Sequence, residues 1–388
     1  MRIWRTPKAK WIVLLASIAV GLLGIEGVAR WRGLYTDPWN PPPPQTINPY
    51  GPNPYLVYCR PFLYFHIPRS VYTIRTQDFS CRYEINARGF RGPDVSDQPP
   101  SGWKRLLLIG DSFTEGGGVD FAQGFASLAA PARRRLGWET VGVGIQGGSP
   151  IYYLANLPRY FALRPDAAAI ILYDNDILDD FGRERDYETY RVLHDPERLI
   201  RGEPAPRPPI SHAWALLHDR LRPAPALMAQ SDIEALYRRR KAEGRTPQAA
   251  LPFPPEDGVP EEQWPHFWER TQAYLDGIAT RLNEQHVNLL VAHLSAEYRA
   301  SGAPASRRRH ADMFERSLAE WAERRGVAFF SFRDALAAEL AVPGRPAILF
   351  PIDPHLNERG HRVVADALEK RLGDWLGTSG QPSAEPSE

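Results

Sequence analysis

The sequence predicts an α/β fold with a central parallel sheet, and two features carry that prediction. Residues 106–110 and 169–173 are short apolar runs that end in glycine or polar residues, and residues 141–150 close a third predicted strand. A short apolar run of this kind is typical of a strand buried on both faces. Helical and strand patterns then alternate, with helices expected at 267–284, 313–325 and 358–375 and strands at 287–294 and 327–332.

The first strand ends in Gly110-Asp111-Ser112, followed by residues able to start a helix. Open α/β sheets place their chemistry at the carboxyl ends of the strands. The hydroxyl of Ser112 would face that crevice, beside first-turn amides that can stabilise an oxyanion. Serine and aspartate are also ordinary turn and N-cap residues, so this segment alone leaves both interpretations open.

A nucleophilic serine needs a base and a group that orients the base. His355 lies in a Pro-rich loop just ahead of the last predicted helix, and Asp353 lies two residues earlier. In an extended loop these side chains point the same way, so the carboxylate can accept the imidazole Nδ1–H. The alternative is that Asp353 and Asn357 merely cap the helix and His355 is a surface residue.

Two further strand ends supply neutral donors for an oxyanion. Residues 141–150 are rich in glycine, which lets the backbone approach a ligand, and they include Gly147. Asn175 comes shortly after the apolar run 169–173 and offers a side-chain amide at the same edge. Each has a plain alternative as strand-ending turn chemistry, but the ordered set is hard to produce by accident.

Together these residues resemble the four ordered blocks of the SGNH (GDSL-type) hydrolase superfamily, over roughly residues 105–376 apart from an insertion. The resemblance implies a flavodoxin-like three-layer α/β/α fold and serine-dependent ester hydrolysis or acyl transfer. It implies these roles: Ser112 as nucleophile and first oxyanion amide, Gly147 as second amide, Asn175 as side-chain donor, His355 as base and Asp353 as its orienting carboxylate.

The chain departs from the family pattern in two informative places. The usual spacing is Asp-x-x-His, whereas here Ile352 stands at that position and the carboxylate is Asp353. The shorter Asp-x-His form resembles membrane-anchored branches of the superfamily. Tyr173 replaces the glycine of the third block, and a bulky ring there is expected to narrow the acyl pocket.

The N-terminus indicates where the protein works. Four basic residues precede the apolar stretch 11–25, which orients its start toward the cytoplasm. The stretch is short for a span and also fits the core of a cleaved signal peptide. Arg30, Trp31 and Arg32 behind it look like interfacial anchors, which favours an uncleaved single-span anchor. Both alternatives export the remainder of the chain, so we expect a membrane location with the catalytic domain extracytoplasmic, periplasmic if the cell is Gram-negative.

The sequence divides into four parts. Residues 1–30 are the signal-anchor helix, and 31–102 hold a Pro-rich spacer and a β-rich segment that is expected to pack along an edge of the domain. Residues 103–376 form the hydrolase domain with an insertion at about 180–265, and 377–388 read as a disordered tail. Cys59 and Cys81 are the only cysteines, and in an exported protein they are expected to pair, with two free thiols as the alternative.

Composition narrows the function further. A net charge of +1 and the lack of a basic stripe with interleaved aromatics argue against a nucleic-acid partner. The acidic run 174–180 lacks the spacing of an EF-hand loop, and no cofactor or metal is expected. We therefore expect a serine esterase that cleaves O-acyl esters, above all acetyl esters, on surface or cell-wall glycans. The alternatives are an O-acetyltransferase on the same glycans and an inactive polysaccharide-binding factor.

Overall fold

The structure is a computed structural model that describes most of the 388-residue chain. The described residues are 7–32, 43–49, 53–60, 63–185, 211–214, 217, 235, 239, 242–243, 258–296, 303–342 and 344–378. Most of the predicted insertion, the first part of the Pro-rich spacer and nearly all of the predicted tail lie outside these residues.

Helix α1 (Pro7–Trp31) is apolar along nearly its whole length. Its 22-residue stretch Lys10–Trp31 is long and apolar enough to cross a membrane. At about 1.5 Å per residue, such a helix matches the ~30 Å hydrocarbon core of a bilayer. Large apolar side chains such as Leu23 are exposed, as expected of a helix whose partner is lipid. The core of a signal sequence has the same properties, so α1 is compatible with both alternatives.

The β-rich segment comprises the described residues between 43 and 100. Its strands are β1 (Thr46–Ile47), β2 (Leu56–Arg60), β3 (Leu63–His66), β4 (Val71–Arg75) and β5 (Ser80–Glu84). Strands β2 and β3 form one antiparallel hairpin, β4 and β5 form a second, and β1 pairs in parallel with β4.

A small aromatic core holds the second hairpin together. The Tyr72 ring stacks on Tyr55 at 4.4 Å and on Tyr83 at 5.1 Å between centroids. Cys81 lies buried in this core, and burial raises the pKa of its thiol to about 11. The side chain of Cys59 lies outside the described residues, so the pairing of the two cysteines stays a prediction.

The central sheet has five strands, all parallel. They are β6 (Lys104–Gly110), β7 (Trp138–Gly142), β8 (Ala167–Tyr173), β9 (Asn288–Leu294) and β10 (Ala328–Ser331). Their order across the sheet is β10-β9-β8-β6-β7. Ranked along the chain this is the 2-1-3-4-5 order of flavodoxin-like folds, so the predicted fold class is confirmed.

Helices cover both faces of the sheet. They are α2 (Ser112–Glu115), α3 (Phe125–Leu128), α4 (Ala130–Arg134), α5 (Pro150–Phe161), α6 (Asp176–Arg185), α7 (Trp264–Glu284), α8 (Ala305–Arg325), α9 (Arg333–Leu340) and α10 (Glu358–Thr378). One apolar core joins α5, α7 and α8 to the sheet, and a second joins α3, α9 and α10 to its other face. Trp264 and Phe267 lie buried in the first core.

Candidate active site

Ser112 stands at the topological switch point of the sheet. The chain leaves β6 toward β7 on one side and returns to β8 on the other, which opens a crevice between the ends of β6 and β8. Helix α2 starts at Ser112, and the Asp111 carboxylate caps it by accepting a hydrogen bond from Phe113 N (2.9 Å). Only glycine fits at position 110, because a Cβ there would overlap Thr114 Oγ1. Strand end and cap together fix the start of α2.

His355 and Asp353 lie in the loop between α9 and α10 and form a hydrogen-bonded series with Ser112. The Ser112 Oγ is 2.7 Å from His355 Nε2, and His355 Nδ1 is 2.5 Å from Asp353 Oδ1. Because a carboxylate only accepts, the imidazole proton sits on Nδ1 and Nε2 accepts from the serine hydroxyl. The N-cap of α10 is Asn357, whose Oδ1 accepts two first-turn amides at 3.0 Å. Asp353 Oδ1 instead accepts hydrogen bonds from the ring of His355 and from the backbone amide of His355.

Gly147 and Asn175 come after the neighbouring strands β7 and β8. Gly147 has φ +67°, a left-handed conformation that favours glycine. Asn175 Nδ2 donates to Asp179 Oδ2 (2.9 Å); an amide nitrogen carries two hydrogens, so a second donor is left for a ligand. The Tyr173 ring, expected to narrow the pocket, is buried and stacks on Phe113 at 3.9 Å. Parallel strands thus bring both predicted donors to the edge that carries Ser112.

Three aspartates near Ser112 and Asn175 have buried side chains, namely Asp111, Asp176 and Asp180. Burial raises the pKa of Asp111 to about 7, although the amide of Phe113 and the nearby His355 oppose the rise. Burial likewise raises the pKa of Asp176, and raises that of Asp180 to about 7. Asp180 accepts hydrogen bonds from Ile151 N (2.9 Å) and a threonine hydroxyl of α7 (2.7 Å). In the described part of the chain, no group of three or more His, Cys, Asp or Glu side chains is arranged to hold a metal ion.

A buried network fixes the backbone just before Asn175. The Asp174 carboxylate accepts from His293 Nε2 (2.9 Å) and Ser295 Oγ (2.6 Å). The Asp174 carbonyl accepts from His310 Nε2 (2.7 Å), whose Nδ1 accepts from a backbone amide, and burial lowers the pKa of this histidine. His310 is therefore neutral, and its hydrogen bond to the Asp174 carbonyl fixes the backbone at the end of β8.

The same network continues to the surface through Glu315. Its Oε2 lies 3.6 Å from His293 Nδ1 and accepts from Arg333 Nε (2.9 Å). Partial burial favours the neutral acid, but the two cationic neighbours outweigh it and lower the pKa of Glu315 to about 2. Burial also opposes the charge on His293, yet Asp174 and Glu315 raise the pKa of this imidazole above its ordinary value.

Sequence reasoning missed a buried carboxylate that joins α2, the helix that begins at Ser112, to the Gly147 loop. Glu115, the last residue of α2, accepts from His66 Nε2 (2.5 Å) and from Gln146 N (3.0 Å). The Gln146 carbonyl in turn accepts from Tyr64 Oη (2.7 Å). Both backbone polar groups of Gln146, the residue before Gly147, are thus held, the carbonyl by Tyr64 of the β-rich segment and the amide by Glu115, which His66 of that segment binds in turn. Nothing in the sequence marked Glu115 as buried.

Arg91 is a second residue whose role was missed. Its guanidinium donates to the carbonyls of Gly116 (2.7 Å) and Val119 (2.6 Å), just beyond α2, and lies over the Tyr83 ring. A cation suits the carbonyl end of a helix. Through Arg91, His66 and Tyr64 the β-rich segment contacts the end of α2 and the loop that holds Gly147, both of which lie at the carboxyl edge of the sheet.

Comparison with known proteins gives one family and several solved structures. The model of the GDSL-like lipase/acylhydrolase family matches residues 108–363, about two thirds of the chain. LAE5, an α/β hydrolase enzyme from the metagenome of Lake Arreo, Spain, has 17% identity and a TM-score of 0.40, with 70% of this chain and 95% of that chain covered. A catalytic mutant of Axe2, an acetylxylan esterase from Geobacillus stearothermophilus, has 17% identity and a TM-score of 0.42, with 70% and 94% covered. A putative acylhydrolase from Bacteroides fragilis has 12% identity and a TM-score of 0.37, with 72% and 91% covered. No curated protein matches the chain.

Proposed function

Because the chain belongs to the GDSL-like lipase/acylhydrolase family, we propose that it is a serine esterase that works outside the cytoplasm, with Ser112 as its nucleophile. One observation carries this proposal. Ser112 Oγ, the His355 ring and the Asp353 carboxylate form an unbroken hydrogen-bonded series, with links of 2.7 and 2.5 Å. A serine hydroxyl is a weak nucleophile unless a positioned base removes its proton, and this series supplies such a base.

The first half of the reaction forms an acyl-enzyme. His355 Nε2 takes the proton of Ser112 Oγ as the oxygen attacks the ester carbonyl, and Asp353 stabilises the imidazolium. The developing oxyanion accepts from Ser112 N–H, which as the first amide of α2 has no intrahelical acceptor. The amide of Gly147 and the side chain of Asn175 complete the oxyanion hole. The leaving alcohol then takes the proton from His355.

The second half releases the acyl group. Water enters where the alcohol left and attacks the acyl carbonyl as His355 removes its proton. The bond to Ser112 Oγ then breaks, Ser112 Oγ takes the proton back from His355, and the free acid leaves. A sugar hydroxyl in place of that water would give acyl transfer through the same residues.

The proposed substrates are O-acyl esters, chiefly acetyl esters, on surface or cell-wall glycans. The location supports this choice. The basic residues ahead of α1 orient its start toward the cytoplasm, so that the chain beyond α1 is exported. With α1 retained, the enzyme is a single-pass membrane protein whose catalytic domain meets the glycans of the cell surface.

The test is labelling of the full chain in detergent by a fluorophosphonate probe, which reacts with an activated serine whatever the natural substrate. We expect the wild type and a control, Ser127→Ala on the neighbouring helix α3, to label at equal rates. Ser112→Ala should not label, and His355→Ala should label slower by several orders of magnitude. Labelling that persists in Ser112→Ala, or a folded wild type that does not label, contradicts the proposal. Hydrolysis of acetylated glycans, with and without added sugar acceptors, then separates esterase from transferase.

A further inference from the structure

The loop that carries the base is held in its middle by a residue from the β-rich segment. Asp78 Oδ2 accepts hydrogen bonds from two successive amides, Ile352 N (2.8 Å) and Asp353 N (2.6 Å). Both donors bind the same carboxylate oxygen, and hydrogen bonds to an ionised acceptor are stronger than neutral ones. The second amide belongs to the residue whose side chain orients His355. Asp78 thus acts on the hydrogen-bonded series of Ser112, His355 and Asp353 through the backbone of Asp353.

The tip of the β4–β5 hairpin is itself built to hold Asp78 in place. Thr76 Oγ1 accepts from Asp78 N (3.1 Å) and Phe79 N (3.2 Å), and Thr76 N donates to the Phe79 carbonyl (2.9 Å). The Phe79 ring packs against Phe350 of the His355 loop, with 5.0 Å between centroids. A closed turn and a ring contact therefore fix the carboxylate before it meets the loop.

The same hairpin is tied to the nucleophile side of the site. The Arg82 amide on β5 donates to Asp120 Oδ1 (2.9 Å), shortly after α2. The Arg82 carbonyl accepts a hydrogen bond from the Arg91 guanidinium (2.9 Å). The same guanidinium donates to the carbonyls of Gly116 and Val119, which follow the helix that begins at Ser112. The hairpin therefore bridges the two halves of the site, with Ser112 on one side and His355 on the other.

The loop needs such a support. Its ends are joined by the pairing of Leu349 with Leu356, and Phe350 N donates to the His355 carbonyl (3.1 Å). Between those ends Pro351, Ile352 and Pro354 are exposed, Ile352 by 71%, whereas Asp353 is buried. Exposed backbone that is held only at its ends opens locally at little cost, and such an opening would move the Asp353 carboxylate away from the ring that it orients.

We propose that Asp78 is a positioning residue for the catalytic base, so that the β-rich segment is a working part of the active site. The inference rests on the proposed function, in which His355 is the base. Asp78 binds two backbone amides and no reacting group, so its loss should lower kcat with little change in KM. Misplacement of a catalytic group by about 1 Å can cost on the order of 10²-fold, and we expect a fall of roughly 10- to 100-fold in kcat for Asp78→Ala.

The experiment compares Asp78→Ala, Asp78→Asn and a control, Glu84→Ala, in the full chain. Glu84 lies on the same strand pair, and its exposed carboxylate contacts Arg82 instead of the loop. One carbonyl oxygen of asparagine can accept both amides, so Asp78→Asn should recover most of the rate. Turnover of 4-nitrophenyl acetate gives kcat and KM. Fluorophosphonate titration counts active sites, so a folding loss lowers the yield but not the rate per site.

Each outcome decides the matter. A fall in kcat per site for Asp78→Ala, with recovery in Asp78→Asn and no change in Glu84→Ala, supports a positioning role. Equal rates for Asp78→Ala and wild type overturn it, as does an equal loss in the alanine and asparagine variants, which would point to charge instead of position. A wild type that does not label or turn over would reject the proposed function itself, a result distinct from any of these.

Discussion

The buried pair of Glu115 and His66 gives the sharpest prediction on stability. Replacing Glu115 with alanine removes the acceptor for His66 Nε2 and for Gln146 N. The side chains of the pair are only 1% and 3% exposed, so water cannot take the place of the carboxylate without disrupting the core. His66 Nδ1 already accepts from Tyr72 Oη (3.0 Å), which leaves its Nε2–H without an alternative partner.

The magnitude can be worked out from those two donors. A buried donor left without an acceptor costs about 1–3 kcal/mol, and Glu115→Ala leaves two such donors. We therefore expect Glu115→Ala to lower the free energy of unfolding by about 2–6 kcal/mol. For a domain of this size each kcal/mol shifts Tm by about 2–4 °C, which gives a fall of about 4–24 °C.

The assay is thermal unfolding of the full chain in detergent, with Glu84→Ala as an exposed control that should shift Tm little. A double variant sharpens the test. In a His66→Ala background the Nε2 donor is already gone, so Glu115→Ala should cost less there than in the wild type. A Tm for Glu115→Ala within about 2 °C of the wild type, or full additivity in the double variant, would refute the reasoning.

Two further predictions concern the donor side of the site and the network behind it. Asn175→Ala should lower kcat by on the order of 10²–10³-fold, because an oxyanion donor acts mainly in the transition state; a loss below 10-fold in ester turnover would argue against that role. Glu315 has a pKa of about 2, below the ordinary 4.5, so its contribution to stability is present above pH 4.5 and is lost as the pH falls toward 2. The Tm difference between wild type and Glu315→Gln should therefore shrink as the pH is lowered from 7 to 3, and a difference that does not change with pH would contradict this assignment.

The sheet and its helices were predictable because their signals are local. The apolar run at 169–173 becomes part of β8, all seven residues of which are buried. Helix α7 begins at Trp264 instead of 267 because Pro265 is well suited to a first turn. The candidate residues Ser112 and Asn175 share this advantage, since parallel strands bring the residues at their carboxyl ends to one edge of the sheet.

The supports of the site were not predictable, because they depend on pairs far apart in the chain. Asp78 and Asp353 are separated by 275 positions, and an aspartate in a hairpin tip is ordinarily a turn residue. Glu115 would ordinarily be assigned to the surface, because charged residues are seldom buried without a partner. Arg91 lies in the predicted β-rich segment, but nothing in the sequence indicates the carbonyls that it binds.

The distance in sequence between the proposed nucleophile and the proposed base also sets the order in which the site is assembled. Ser112 and His355 are 243 positions apart, and the base lies close to the C-terminal helix. Polypeptides are made from the N-terminus, so a nascent chain carries the serine long before it carries the histidine. Asp78 likewise precedes the two amides that it binds by about 275 positions. Under the proposed mechanism, hydrolytic activity can therefore arise only after residues 352–355 have emerged, and a shorter nascent chain is inactive.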